Sequence, residues 1–173
     1  CLTKDPYLYG FSSKIKDPLS VLGRKKNLEI IKQPLRLYKK YLKNNHISNM
    51  KILICGIAFK GNPETNDIRG SSSLDLANLF IKNGYKVYAH DFALSENEKK
   101  IANLKFIKNL DSLRKESLAV FFMNNHHNNP KLIKYLNKDR QIFIFDGWHQ
   151  LNQKEISNVE SWRYSTLGYV DID

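Results

Sequence analysis

No stretch of the 173 residues is long and apolar enough to span a bilayer, and no secretory-signal pattern is visible. We therefore expect no membrane partner. Cysteine is scarce, with Cys1 and Cys55 far apart, which argues against a disulfide framework and fits a reducing cytoplasm. No zinc-ligand spacing, aromatic RNA-binding motif or basic tail is present, so neither a metal nor nucleic acid is expected. Acidic residues are also short in supply. There are 17 Asp and Glu against 28 Lys and Arg, a formal net charge of +11. Such a field favours anionic partners, phosphorylated metabolites among them. Lysine is spread along the chain with only short clusters, such as Arg24-Lys25-Lys26, so a solubilising surface is the alternative source of the charge. The sequence begins with Cys rather than Met and reads as a piece of a longer polypeptide.

The apolar pattern changes once along the chain. Residues 1 to 20 read as a loop and a helix entry, with Asp17-Pro18 as cap and first-turn proline. From there Leu22, Leu28, Ile31, Leu35, Tyr38 and Leu42 recur at helical spacing, and Pro34 predicts a kink or two helices. Asn44 to Asn49 form a polar linker. Beyond it, short apolar runs suited to buried strands (51–57, 86–90, 105–107, 118–123 and 141–145, with a last edge strand at 164–167) alternate with expected helices at 71–81, 96–102 and 131–136. Asn83-Gly84 is a helix stop. The alternation predicts an α/β fold: a Rossmann-like parallel sheet with helices on both faces, preceded by a helical connector. The boundary is expected at 48/49.

Ligands of open α/β sheets bind beyond the carboxyl ends of the strands. The first strand runs into Gly56-Ile57-Ala58-Phe59-Lys60-Gly61, and the loop continues through Asp67-Ile68-Arg69-Gly70 to Ser71-Ser72-Ser73. A lysine, an arginine and a helix N-terminus that the serines can cap make a candidate diphosphate site. The alternatives are an ordinary exposed lysine and an Arg69 that pairs with Asp67. The loop has no G-x-G-x-x-G, so the usual dinucleotide fingerprint is missing. Asp91, at the end of the second strand, occupies the place of a ribose-binding acid but reads better as a loop or cap residue. At the start of the chain, Cys1-Leu2-Thr3-Lys4-Asp5-Pro6-Tyr7 sets a thiol three residues from a lysine, which favours thiolate, and next to a carboxylate able to hold water. Taken alone, such a cysteine is more often an incidental thiol.

In order, C-L-T-K-D-P-Y, a helical stretch, I-C-G-I-A-F-K, D-I-R-G-S-S-S-L-D-L and Y-A-H-D resemble the UDP-glucose/GDP-mannose dehydrogenase family. The resemblance covers nearly the whole chain, more weakly after Asp91, and implies the C-terminal part of such an enzyme. It implies Cys1 as nucleophile, Asp5 as the carboxylate that helps activate water, and Lys4 as its charged neighbour. Leu2, Phe59 and Lys60 become contacts to a UDP- or GDP-sugar, and Arg69 a contact to NAD held by an N-terminal domain absent from this chain. The implied reaction is a two-step, NAD-dependent oxidation of a sugar primary alcohol to a carboxylate through a cysteine thioester, as used in polysaccharide biosynthesis. A homodimer built on the helical connector is also implied.

The sequence departs from the family pattern in two places. The segment from Lys60 to Arg69 is longer than the family's commonest form. Trp148 follows Phe145-Asp146-Gly147 where many members carry a substrate-binding arginine, so it either stacks on a ring or packs. His126 and His127 follow a strand end and are expected to be surface or supporting residues. The Pro-Tyr of K-D-P-Y resembles the N-acetylhexosamine branch and its lysine the UDP-glucose branch, leaving the sugar open. A stand-alone nucleotide-binding or regulatory module without catalysis is the competing reading.

Overall fold

The computed structural model describes residues 4–15, 18–101 and 103–168. The chain divides into two compact units that meet in sequence at Gln33 and Pro34. The first holds helices α1 (Asp5–Ser13) and α2 (Leu19–Ile30). Neither helix buries a residue, and Leu8, Phe11 and Leu19 are among the exposed apolar side chains. Helix α1 was expected to be loop. Pro6 sits in its first turn, where proline is tolerated, and Asp5 lies favourably at the positive end. Asp17, expected to cap α2, lies outside the described residues. The N-cap position itself is Pro18.

The second unit opens at Pro34, within the first turn of α3 (Gln33–Asn44), so the proline separates two helices rather than kinking one. Leu35, Tyr38 and Leu42 of the expected stripe are buried in this unit. Six strands follow: β1 (Lys51–Cys55), β2 (Val87–His90), β3 (Lys105–Phe106), β4 (Leu118–Phe122), β5 (Ile142–Asp146) and β6 (Trp162–Thr166). Each pairing is parallel and the order is β3-β2-β1-β4-β5-β6. This is the doubly wound arrangement, whose direction of winding reverses between β1 and β4. β1, β4 and β5 are near-continuous apolar runs because both their faces are covered.

One face packs against α3 and against α4 (Ser72–Lys82). Tyr38 and Phe80 meet each other and Phe121, with ring centroids 4.8 to 6.1 Å apart. Tyr38 also accepts a hydrogen bond at its hydroxyl from the Met50 N–H at 3.2 Å, and burial raises its pKa. On the opposite face Leu53, Val120, Phe122 and Ile144 pack with Leu113, Leu132 and Ile156, from two 3-10 helices (Asp111–Leu113, Asn129–Tyr135) and α5 (Gln153–Ser157). Helix α4 buries Ser73, Leu76, Ala77 and Phe80, a helical stripe, and ends where Gly84 takes φ 82°. There the Gly84 N–H reaches Ile81 O at 2.9 Å and the Tyr85 N–H reaches Phe80 O at 3.1 Å, the double closure that a left-handed glycine permits.

Two expected helices differ. The segment from Glu96 forms turns: Ser95 and Glu98 exchange capping bonds, but no apolar stripe follows to carry the helix onward. The segment after Pro130 winds as a 3-10 helix rather than an α-helix. No described helix is long and apolar enough to cross a membrane.

Candidate functional site

The reversal point lies between the carboxyl ends of β1 and β4, where the chain turns out of the sheet at Gly56 and at Met123. Gly56 has φ 86°, and any Cβ there would run into the Asn124 side chain. Gly61 lies so close to the His126 backbone that a side chain could not be accommodated either. These two contacts press the Ile57–Lys60 loop against the tail of β4.

Asp91 fixes the loop. It is 5% exposed, and its Oδ2 accepts from the Ile57 and Ala58 N–H groups at 2.6 and 2.9 Å. Its Oδ1 accepts from Ala93 and Leu94 at 2.7 and 3.1 Å. One carboxylate thus satisfies four backbone donors from two loops, bonds strengthened by its charge. Ser71 and Ser73 donate from their hydroxyls to Ile57 O and Gly56 O, both at 2.6 Å. The serines therefore serve the buried carbonyls that end β1, not the N-terminus of α4 as expected, and α4 has no side-chain cap. From β4, Asn124 Nδ2 donates to Ala58 O at 3.2 Å, and Asn125 Oδ1 accepts from Gly61 and Asn62 at 2.9 and 3.0 Å.

On this clamped loop Phe59 is 48% exposed and Lys60 is partly exposed, so both side chains stand out of a rigid turn. The Phe59 N–H donates to Asp67 O at 2.7 Å, which brings the far arm of the loop alongside. Arg69 sits on that arm with its side chain 89% exposed, and its Nε and Nη2 grip the Asp67 carboxylate at 2.7 to 3.1 Å. The guanidinium, together with the Arg69 backbone N–H, holds the Asp67 carboxyl at about 2. Phe59, Lys60 and Arg69 thus share one loop, with Arg69 braced by Asp67.

Of the two expected roles, surface and support, His127 takes the first, being exposed, and His126 the second, being buried. Its Nδ1 accepts from the Asn128 N–H at 3.1 Å, which leaves the proton on Nε2, and Nε2 donates to Glu64 at 2.9 Å. Its ring stacks between Phe92 and His127, with centroids 4.9 and 4.6 Å away. Asp91 takes the expected loop or cap role through its bonds to the Ala93 and Leu94 N–H groups, whereas its bonds to Ile57 and Ala58, and the parts of Asn125 and Glu64, are not read from the sequence. The paired asparagines after β4 mark a turn, since Asn side chains habitually bond nearby backbone, but nothing local names the distant β1 loop as their partner.

Of the remaining expected residues, Lys4 and Asp5 lie in the other compact unit. Lys4 is the exposed N-cap of α1, and its carbonyl accepts from Tyr7 and Leu8 at 3.0 and 3.1 Å. Asp5, also exposed, opens the helix. Cys1 and Leu2 lie outside the described residues. Among the described residues no group of His, Cys, Asp or Glu is placed to hold a metal ion. Nor does the turn after β1 suit a dinucleotide. The backbone donors of Ile57 and Ala58, which a pyrophosphate would need, are taken by Asp91, and the space beside Gly56 is filled by Asn124.

No curated protein matches the sequence. Solved structures share its fold. An NDP-N-acetyl-D-galactosaminuronic acid dehydrogenase from Methanosarcina mazei Go1 superposes with a TM-score of 0.80 at 21% identity, over 97% of this chain and 37% of that one. A UDP-D-ManNAc dehydrogenase from Pyrococcus horikoshii gives 0.73 at 22% identity, over 97% and 38%. A GDP-mannose dehydrogenase from Pseudomonas aeruginosa gives 0.67 at 18%, over 95% and 38%. The chain therefore spans well under half the length of these proteins. Residues 53–153, more than half of the chain, match the model of the UDP binding domain of the UDP-glucose/GDP-mannose dehydrogenase family, and the chain belongs to that family.

Proposed function

We propose that residues 49–173 form the nucleotide-sugar-binding domain of an NAD-dependent dehydrogenase that oxidises the primary alcohol of a UDP- or GDP-sugar to a carboxylate. Residues 1–48 supply the catalytic-cysteine segment and the connector. The observation that carries this reading is the presentation of Phe59 and Lys60 at the reversal point of the sheet, on a loop clamped by Asp91 and Asn125. Lys60 offers an ammonium to phosphate or sugar oxygens, and Phe59 an apolar ring face beside it. Preorganisation of this kind limits the entropy lost on binding.

The filled turn after β1 supports the reading that NAD, the hydride acceptor, is held by a domain other than this one. Arg69 is the residue offered to it: Asp67 holds one edge of the guanidinium, and the side chain is exposed enough to meet a pyrophosphate. Cys1 is assigned as the nucleophile that captures the sugar aldehyde as a thiohemiacetal. Oxidation of that adduct leaves a thioester, and water releases the acid. Lys4 favours the thiolate, and Asp5 takes a proton from the attacking water. Association as a homodimer is supported by the exposed apolar residues of α1 and α2.

Cys1→Ser, made in the polypeptide joined to its NAD-binding half, tests the chemistry. A serine hydroxyl is a far weaker nucleophile at neutral pH. Formation of the sugar acid should stop while sugar-nucleotide binding persists. Acid production within about tenfold of the parent rate would falsify the nucleophile assignment.

A further inference from the structure

Trp148 lies just beyond the carboxyl end of β5, next to the tail of β4, and is 49% exposed. An indole so exposed is ordinarily free to reorient, but this one is fastened. Its Nε1–H donates to Met123 O at 3.0 Å and its backbone N–H donates to Asp146 Oδ1 at 3.1 Å. Asp146 is itself fully buried, and its Oδ2 accepts from the Leu151 N–H at 2.8 Å and the Tyr164 hydroxyl at 3.1 Å. The Gly147 N–H donates to Phe122 O at 2.9 Å, and Gln150 Nε2 to Asn124 O at 2.8 Å. The turn is therefore stitched to β4 at Phe122, Met123 and Asn124. The polar edge of the indole is satisfied within the protein, and half of its surface is left to solvent.

The same tail of β4 holds the lysine loop on its other side, through Asn124 to Ala58 and Asn125 to Gly61 and Asn62. Residues 123–125 are thus a common spine between Lys60 and Trp148. Neighbouring strands are roughly 4.8 Å apart, so the ends of β1 and β5, separated by β4, lie on the order of 10 Å from each other. That span suits a diphosphate held at the lysine and one ring at the indole.

We propose that Trp148 is the ring-stacking residue of this site, taking a flat face of the bound nucleotide sugar while Lys60 holds its charged part. The proposal rests on the nucleotide-sugar reading and adds the element that recognises a ring. Aromatic faces stack on bases and on the C–H faces of sugars, and a side chain already immobilised loses little further entropy.

The test is calorimetric titration of the full chain with UDP-N-acetylglucosamine, UDP and inorganic diphosphate, for the parent, Trp148→Ala and Trp148→Phe. The alanine variant should bind UDP-N-acetylglucosamine roughly tenfold or more weakly and inorganic diphosphate as before, while phenylalanine retains most of the affinity. If UDP alone shows the same loss, the stacked ring is the base. If it does not, the ring is the sugar. An unchanged dissociation constant for the sugar nucleotide in Trp148→Ala, or an equal loss for inorganic diphosphate, overturns the proposal while leaving the domain's reading in place. Failure of the parent chain to bind the uridine nucleotides and GDP alike overturns both.

Discussion

Removing the Asp91 carboxylate should destabilise this domain more than its position at a loop suggests. Asp91→Ala strands four backbone donors, at Ile57, Ala58, Ala93 and Leu94. Ile57 and Ala58 are buried, at 0% and 1% exposure, so water cannot replace the lost partner without opening the loop. A buried donor left unsatisfied costs about 1–3 kcal/mol. The donors of Ile57 and Ala58 alone therefore give about 2–6 kcal/mol, and partial relaxation of the loop places the expectation near 3–4 kcal/mol. Leu94, also buried, adds to this loss, and the half-buried Ala93 adds less. Asp91→Asn keeps one acceptor and turns an amide N–H toward the other pair of donors, so it should lose about half as much. Urea titration followed by far-UV circular dichroism reads this out as a fall in the midpoint at constant m-value. A loss below about 1 kcal/mol in Asp91→Ala would refute the claim that this carboxylate organises the loop.

Four further outcomes follow from the packing and the charges. Phe80→Ala should cost about 3–5 kcal/mol, because Phe80 is fully buried among Tyr38, Tyr85 and Phe121; chemical denaturation measures it. A chain shortened to begin at Pro34 should retain a single cooperative unfolding transition, since the sheet unit starts there; loss of that transition would contradict the division. The intact chain should self-associate through the exposed apolar residues of α1 and α2, and a strict monomer by sedimentation at high micromolar concentration would count against it. His90 is buried, its Nδ1 bonded to Ile107 O at 3.0 Å and its Nε2 without a hydrogen-bond partner among the described residues, and burial lowers its pKa. Its unfolded form therefore takes up a proton near pH 6.5 that the folded form refuses until lower pH. Its contribution to stability should be complete above about pH 6.5 and fall as pH drops toward the depressed folded value. Denaturation midpoints at pH 7 and pH 5 should converge in His90→Gln.

The legible parts of the fold are those where one physical demand dominates. KILIC, LAVFF and IFIFD read as strands because burial on both faces admits only apolar residues. The end of α4 was legible at Asn83-Gly84 because only a left-handed glycine closes the helix so economically. Helix α1 was missed because Tyr7, Leu8, Tyr9 and Phe11 make no buried stripe. The helix expected from Glu96 failed for the converse reason, having capping chemistry without an apolar face. Lys60 could be picked out because a strand end followed by lysine is a local pattern. The bonds from Asp91 and Asn125 could not, because they join segments 33 to 64 residues apart in sequence that meet only when the sheet is assembled. The Arg69–Asp67 pair, one of the two roles the sequence allows this arginine, is present, with the arginine still exposed.

Calorimetric titration of the chain with UDP and GDP, in parallel with Lys60→Ala, decides whether this domain binds the diphosphate of a nucleotide sugar at the loop carrying Lys60. A charge-assisted contact is worth about 1.5–3 kcal/mol, so the variant should bind the preferred nucleotide roughly ten- to a hundredfold more weakly, with its unfolding midpoint unchanged. Absence of binding to both nucleotides, or an identical dissociation constant for parent and variant, would rule out a diphosphate site at Lys60.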